Sequence, residues 1–215
     1  MIPIELRERL AADFSPVRPL PSPWLRVFWC APFALLTFVA APAYFNVRSD
    51  ALELGWFRSW GASLIQVVAG FALLAAALRE SIPGRSWSAV AMGLWVVTPL
   101  ALAIAVTFTS WEGSAALPHR WWTVWAMCLG GSAATALPVV ALAGVLVARA
   151  YPTRPGIAGL LLGVGAGVIA DAGWRMFCHF SEPAHVLSAH LGGVAMSAIA
   201  GALLSIRLKA DTTRC

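Results

Sequence analysis

Residues 123–148 read TVWAMCLGGSAATALPVVALAGVLVA and contain no Asp, Glu, Lys, Arg or His. An α-helix rises ~1.5 Å per residue, so this stretch is long enough to cross the ~30 Å hydrocarbon core of a bilayer. Backbone amides within lipid must find hydrogen-bond partners in their own segment, which makes such a run helical. The stretch therefore predicts a transmembrane helix.

Five further apolar runs of similar length surround this stretch. The six predicted helices cover residues 24–45, 61–78, 88–108, 123–148, 156–172 and 186–206. Only 12% of all residues are charged, about half the fraction found in soluble domains. Tryptophans cluster near the ends of the runs, as in the aromatic belts of membrane proteins. We therefore predict an all-α fold, a polytopic membrane protein with a bundle of six transmembrane helices.

The basic residues favour one orientation of this bundle. With the N-terminus inside, the cytoplasmic segments hold Arg7, Arg9, Arg18, Arg26, Arg79, Arg85, Arg149, Arg154, Arg207, Lys209 and Arg214. The outer loops then hold only Arg48, Arg58, Arg120 and Arg175. Because cytoplasmic loops carry an excess of Lys and Arg, both termini are predicted to be cytoplasmic. The net charge of +5 is scattered between apolar runs, which indicates topology rather than direct nucleic-acid binding.

This orientation predicts three parts: a cytoplasmic segment over residues 1–23, a transmembrane domain over 24–206 and a cytoplasmic tail over 207–215. Within the first part, residues 4–14 favour a short helix with one apolar face. Residues 15–23 read SPVRPLPSP, and the four prolines favour an extended or polyproline-like strip. The bilayer is the first partner that the sequence implies.

Small residues recur every four positions in the last two predicted helices. They are Gly159, Gly163 and Gly167 in the fifth helix, and Gly193, Ser197, Gly201 and Ser205 in the sixth. Small residues on one face allow helix backbones to approach closely in membranes. We expect both helices to pack tightly against neighbours, and against each other in one arrangement.

Two cysteines are predicted on the same, outer side of the membrane. Cys128 lies near the outer end of the fourth helix, and Cys178 lies in the loop before the sixth. A disulfide between them is permitted in an oxidising compartment. Thiolates and imidazoles also bind zinc, copper or cadmium. Polar loop residues with two small apolar thiols are the simplest alternative.

Further donors surround Cys178 in the stretch CHFSEPAHVLSAH, residues 178–190. They are His179, Glu182, His185 and His190, with His119 in the other outer loop. We select His179, Glu182 and His185 as candidate metal or redox support for the cysteine pair. No permanent cofactor is expected, only transient heavy-metal binding at the two cysteines.

Three other polar or thiol groups receive simpler interpretations. Cys30 is expected to be a packing residue, and Cys215 an exposed thiol without a role. Asp171, near the outer end of the fifth helix, is either a proton or cation site or, as its predicted depth near the interface favours, a solvated carboxylate.

No enzyme signature is present in the sequence. A nucleophile elbow, an HExxH pair, a Walker loop and a dinucleotide fingerprint are all missing. A thiol oxidoreductase is disfavoured because no CxxC pair occurs. A small-molecule transporter or permease-like protein remains the alternative to a signalling protein, although the predicted helix centres hold few ionisable residues.

Four elements of the chain resemble one bacterial family. The elements are LAADFSPVRPLPSPWLR (residues 10–26), Cys128 followed by Pro138, ARAYPTRPGIAGLLLGVGAG (residues 148–167), and Cys178-His179. In order and spacing they are similar to the NrsF-type negative regulators of sigma F, which are six-helix membrane anti-sigma factors. The matching elements span most of the chain.

The resemblance implies a function that composition does not. Such proteins hold an extracytoplasmic-function (ECF) sigma factor at the inner membrane and release it upon heavy-metal or oxidative stress. Their two periplasmic cysteines match Cys128 and Cys178 here. The chain departs from the family where it has Ala172-Gly173-Trp174 in place of a frequent tyrosine, and where it adds Cys30 and Cys215.

The N-terminal segment is the predicted sigma-binding element, since it is the longest stretch outside the apolar runs. Its candidate contact residues are Leu6, Leu10, Phe14, Val17, Arg18, Pro19 and Leu20. A proline-rich strip loses little entropy on docking in a groove. Arginines in the inner loops over 79–85 and 149–154 either add contacts to an acidic partner or serve topology alone.

Overall fold

The structure, a computed structural model, describes residues 4, 5, 8, 19–53, 55–109 and 118–212. Most of the predicted sigma-binding residues lie outside these ranges, namely Leu6, Leu10, Phe14, Val17 and Arg18, as does Cys215. Pro19 and Leu20 are described, and both side chains are exposed.

The described part of the chain contains helices and no strands, which confirms the all-α fold class. The long helices, numbered in chain order, are Pro23–Phe45 (α1), Ala62–Glu80 (α2), Ala89–Thr109 (α3), Trp121–Ala148 (α4), Pro155–Phe177 (α5) and Leu191–Thr212 (α6). A π-helical turn precedes α2 at Phe57–Gly61 and another precedes α6 at Val186–His190, itself preceded by the short helix Pro183–His185.

Length and composition identify this helical bundle as a membrane protein. Within the described residues, five helical segments are long and apolar enough to span a bilayer, with mean hydropathy between 1.7 and 2.0. The remaining helix, α3, contributes the shorter apolar stretch Ala89–Leu102. The predicted runs match most of the helices, but α5 continues to Phe177, beyond the predicted end at residue 172, and α6 continues to Thr212, beyond the predicted end at residue 206. Cys178 therefore follows directly upon the end of a helix.

Helix α5 lies at the centre of the bundle, where α1, α2, α4 and α6 all pack against it. Its glycines make this close packing possible. A Cβ added to Gly163 would overlap the backbone of Ser197, and one added to Gly159 would overlap the backbone of Gly201. The prediction that small residues bring these two helices together is confirmed.

Charged side chains are buried at the end of the bundle where α1 begins. Arg26 is 1% exposed. Its guanidinium donates to the carbonyl oxygen of Leu78 at 3.2 Å, and also to that of Leu146. These carbonyls belong to the last turns of α2 and α4, which lack intrahelical donors and favour a positive charge. Arg26 thus ties the ends of two helices together.

Two other arginines at this end also have partners within the chain. Arg154 forms an ion pair with the buried Glu80, with Nη2 and Oε1 2.6 Å apart. The guanidinium of Arg79 lies 3.8 Å from the centroid of the Trp87 ring. The contact of Arg154 holds the end of α2 against the start of α5, and that of Arg79 packs the α2–α3 connection onto α2.

Candidate metal and redox site

The opposite end of the bundle brings Cys128 and Cys178 together. Cys128 lies in the second turn of α4, and Cys178 directly follows α5, with its N–H donating to the Trp174 carbonyl at 2.8 Å. Their sulphur atoms are 3.7 Å apart although the residues are 50 positions apart in sequence. The side chains are 0% and 4% exposed, and both are free thiols.

Two buried histidines face this thiol pair. The Nε2 atom of His185 lies 3.4 Å from the Cys178 sulphur. The rings of His185 and His190 are 5.3 Å apart between centroids and nearly perpendicular. One donor atom from each of Cys128, Cys178, His185 and His190 lies within 4.8 Å of the others. The four side chains therefore surround one small volume.

The π-helical turn Val186–His190 explains why two histidines five residues apart share a side. In a regular α-helix such residues point ~140° apart, because each residue advances the chain by about 100°. Here the N–H of Leu191 donates to the carbonyl of Val186, five residues earlier. This wider turn keeps His185 and His190 on one face, and π-helical turns often occur at functional sites.

Asp171 of α5 contacts the His190 ring and helps to orient it. Its Oδ1 lies 2.7 Å from Nδ1 of His190, and its Oδ2 accepts hydrogen bonds from Arg175 at 2.8 Å and Gln66 at 3.0 Å. Because Nδ1 is engaged by Asp171, Nε2 is the nitrogen of the His190 ring that remains available to a ligand. Asp171 is only 1% exposed.

The expectation that Asp171 is a solvated carboxylate is therefore wrong. Because α5 is the central helix, α2 and α6 cover Asp171 even near the end of its helix. The cost of burying the charge is offset by Arg175, one turn later, and by the hydrogen bonds from His190 and Gln66.

Aromatic side chains and a salt bridge enclose the site. Trp174 and Phe177 pack beside the two cysteines, and the Trp174 indole donates to the Thr135 hydroxyl at 3.1 Å. Arg48 pairs with Asp50 at 2.5 Å and reaches the carbonyl of His179 at 3.4 Å. The hydrogen bonds from Arg48 hold the pKa of the Asp50 carboxyl below its usual value. The α1–α2 connection is thereby fixed to the loop that follows Cys178.

One of the three predicted support residues belongs to the four-residue donor group, and the other two do not. His185 belongs to the four-residue group. His179 is half-buried and stacks on Phe180, with ring centroids 4.2 Å apart, and Glu182 is half-buried ahead of the short helix. Neither belongs to the group of donors found among the described residues.

His190 was noted among the donors of the loop but was not selected as a support residue. A residue five positions from His185 lies on a different face of a regular α-helix, so the spacing alone does not predict that His190 joins the group. His119 is exposed before the start of α4. Cys30 is fully buried in the apolar core, in agreement with its expected packing role.

The four side chains can bind a metal ion through their sulphur and nitrogen atoms, or the two thiols can form a disulfide. The hydrogen bond from the Cys128 thiol lowers the pKa of the Cys178 thiol, with further hydrogen bonds from His185 and His190. A thiolate is both the metal-binding and the nucleophilic form of cysteine. A disulfide would require the sulphur atoms to approach to ~2.05 Å, which is a movement of less than ~2 Å from their separation in the structure.

Comparison with known proteins agrees with the architecture. The family model of NrsF, described as negative regulator of sigma F, matches residues 10–209. No curated protein and no solved structure gives a match. Since the match covers nearly the whole chain, including the four donor residues, the protein belongs to the NrsF family of negative regulators of sigma F.

Proposed function

We propose that this protein holds an ECF sigma factor at the cytoplasmic face of the bacterial inner membrane. Metal or oxidant reaching Cys128 and Cys178 from the periplasm then releases the sigma factor. Family membership carries the coarser statement, that the chain is a negative regulator with a sigma factor as its partner. Such a regulator belongs to no enzyme class.

The observation that carries the sensing step is the approach of the two thiols. Their sulphur atoms lie 3.7 Å apart, both side chains are buried, and the two residues are 50 positions apart in sequence. Any bond to both sulphur atoms, through a metal or as a disulfide, joins α4 to the end of α5. A change of one local group would thus alter how two long helices are held together.

The orientation of the bundle supports the separation of sensing from binding. The two cysteines and the start of α1 lie at opposite ends of the bundle, because α1 runs from Pro23 at one end to Phe45 beside Trp174 at the other. The excess of Lys and Arg on the side of the N-terminus favours a cytoplasmic position for both termini. The thiols would then face the oxidising periplasm.

The N-terminal segment over residues 1–23 is the proposed sigma-binding element, ahead of the transmembrane domain over 24–206 and the tail over 207–215. Its proposed contact residues are Leu6, Leu10, Phe14, Val17, Arg18, Pro19 and Leu20. Pro19 and Leu20 are exposed directly before α1. Arg79 and Arg154 of the inner loops are engaged within the chain, which favours the N-terminal segment as the main contact.

Arg26 offers a physical connection between the two ends. It lies in the first turn of α1, just after the N-terminal segment, and binds the last turns of both α2 and α4. Helix α4 carries Cys128 near one end and Leu146 near the other. A shift of α4 upon engagement of Cys128 would change the contact between Leu146 and Arg26. Reversing a 1:99 population to 99:1 needs a difference of ~5.5 kcal/mol in affinity between the states.

Co-purification from membranes tests this proposal. The full chain should retain its sigma factor under reducing conditions, and deletion of residues 1–23 should abolish retention. The double variant Cys128→Ser with Cys178→Ser should retain the sigma factor but fail to release it upon exposure to cadmium or peroxide. The variant Cys30→Ala should release it as the unaltered chain does. Normal release from the double variant would contradict the sensing step.

The same experiment addresses a transporter, the alternative from the sequence. A transporter would move a substrate across vesicles irrespective of residues 1–23. The buried charges at Arg26, Glu80 and Asp171 have partners near the helix ends, whereas transporter sites typically lie near the bilayer midplane.

A further inference from the structure

We propose that Cys128, Cys178, His185 and His190 form one four-coordinate site for a thiophilic divalent cation, Zn²⁺ or Cd²⁺. Asp171 holds His190 in place from outside the ligand shell. This inference rests on the proposed function, because it names the ligand of the same sensor site and adds the two histidines to the cysteine pair.

Two of the distances between donor atoms fit tetrahedral coordination. Zn–S bonds of ~2.3 Å and Zn–N bonds of ~2.0 Å place two sulphur ligands ~3.8 Å apart, and a sulphur and a nitrogen ligand ~3.5 Å apart. The sulphur atoms here are 3.7 Å apart, and His185 Nε2 lies 3.4 Å from the Cys178 sulphur. Both separations match ligands of one metal ion and exceed those of any covalent bond.

The charges also balance around a divalent ion. Upon binding, each thiol gives up its proton, two bonds to sulphur and two to neutral imidazole form, and two protons leave the protein. Two thiolates then cancel the two positive charges of the metal. Asp171 is already compensated by Arg175, 2.8 Å away. Metal binding therefore adds no net charge to the buried site. This favours binding, because a low-dielectric environment opposes added charge.

The chemistry of the donors selects the class of metal. Calcium and magnesium bind oxygen ligands, whereas the four donors here are two sulphur and two nitrogen atoms. Zinc and cadmium accept this mixture, and four protein ligands without an open position are typical of a closed zinc site. All four side chains are buried, and His190 is 1% exposed.

The contacts around Asp171 resemble those that orient the metal-binding histidines of other metalloproteins. Histidine ligands commonly donate their second ring N–H to a carboxylate, which fixes the tautomer and the ring orientation. Asp171 occupies this position relative to His190, 2.7 Å from Nδ1, and is itself held by Gln66 and Arg175. The site is thus oriented by residues from α2 and α5, while its ligands come from α4, the end of α5 and the turn before α6.

Metal titration of the full-length, reduced protein in detergent tests the assignment. Zn²⁺ affinity is measured against a chromophoric chelator, and the ligand shell by X-ray absorption at the zinc edge. We expect one bound ion with two sulphur neighbours at ~2.3 Å and two nitrogen neighbours at ~2.0 Å. Cd²⁺ should displace Zn²⁺ and give a thiolate-to-cadmium absorption band.

Histidine variants distinguish this site from a cysteine pair acting alone. His185→Ala and His190→Ala should each remove one nitrogen neighbour and weaken binding by roughly tenfold or more. His179→Ala and His119→Ala serve as matched controls, since neither residue belongs to the group, and should bind as the unaltered chain does. His190→Cys keeps a ligand at that position and should restore binding with three sulphur neighbours, which separates ligand loss from misfolding.

Three results would overturn the assignment: two sulphur neighbours without nitrogen, equal affinities in all histidine variants, or failure of the reduced chain to bind either metal. Sigma-factor retention measured in the same preparations separates the two proposals. If metal releases the sigma factor equally from His185→Ala and the unaltered chain, the four-ligand site fails and the sensing function stands. If the variants lose zinc but no sigma factor is ever retained, the site stands and the function fails.

Discussion

Asp171 and His190 form a buried polar contact beside the thiol pair. The carboxylate has partners on α2, on its own helix and in the turn before α6, all within 3.0 Å. Removing a charge from water is costly, so a carboxylate persists here only because several donors compensate it. The same contacts fix the orientation of the imidazole that faces Cys178.

Asp171→Asn tests this orienting role at the scale of a single residue. The amide keeps the shape of the side chain but loses its negative charge. We expect Zn²⁺ affinity to fall by ~10–100-fold, as for other changes to groups that orient a metal ligand, with two sulphur and two nitrogen neighbours retained. Glu182→Gln is the matched control, because Glu182 lies in the same outer loop without joining the donor group. Equal affinities in the two variants would contradict the orienting role.

Arg26→Lys tests the contact of Arg26 with the ends of α2 and α4. An ammonium group cannot reproduce the planar fork with which the guanidinium reaches the carbonyls of Leu78 and Leu146. One buried carbonyl should lose its donor, at a cost of ~1–3 kcal/mol, which would appear as a lower unfolding temperature in detergent. Arg85→Lys, an exposed change at the same end, should leave it unaltered.

Single residues also show where sequence reasoning about the site reached its limit. In the sequence, predicted topology and the family resemblance favour Cys128 and Cys178, and the adjoining loop offers His179, Glu182 and His185 as support. The sequence does not single out His190. Only the turn geometry and the rotation of α5 bring His190 and Asp171 together.

At the scale of elements, the π-helical turn Val186–His190 and the contact between α5 and α6 determine the geometry of the site. The turn places both histidines on one side. The contact keeps α6 close to α5, so that His190 can reach Asp171. The contact depends on a backbone approach that larger residues would prevent.

Gly163→Ala tests the contact between α5 and α6. The added Cβ would overlap the backbone of Ser197 and force the helices apart, so we expect a loss of ~1–3 kcal/mol, as for other overpacked positions. Gly130→Ala is the matched control on α4, because nothing lies within 4 Å of the added Cβ. That change should be neutral or stabilise the helix by ~0.5–1 kcal/mol. Similar unfolding temperatures for the two variants would refute the tight contact.

At the scale of the whole molecule, the charged groups separate into two ends. Arg26, Glu80 and Arg154 form buried contacts at the end where α1 begins. Asp171, Arg175 and Arg48 do so at the end that holds the thiols. A ligand at one end can influence the other only through the relative positions of the helices that connect them.

Labelling of introduced thiols tests the orientation of the molecule. In a chain whose native cysteines are replaced by serine, His119→Cys and Ser86→Cys add exposed thiols at opposite ends of the bundle. A membrane-impermeant maleimide added to intact spheroplasts should label the first variant at once and the second only after lysis. The opposite pattern would place the thiol pair in the cytoplasm and contradict periplasmic sensing.

The sequence by itself determined that this chain is a bundle of membrane-spanning helices, because the length of an apolar run fixes whether it can cross lipid. The periodic glycines also predicted the close contact of α5 and α6. The tertiary structure decided which polar groups meet: Gln66, Asp171 and His190 come from three elements, and their contact depends on helix rotation. Helices that are apolar on all sides carry no periodic signal for the face that packs inward. The partners of Asp171, and with them the second histidine of the site, therefore followed only from packing.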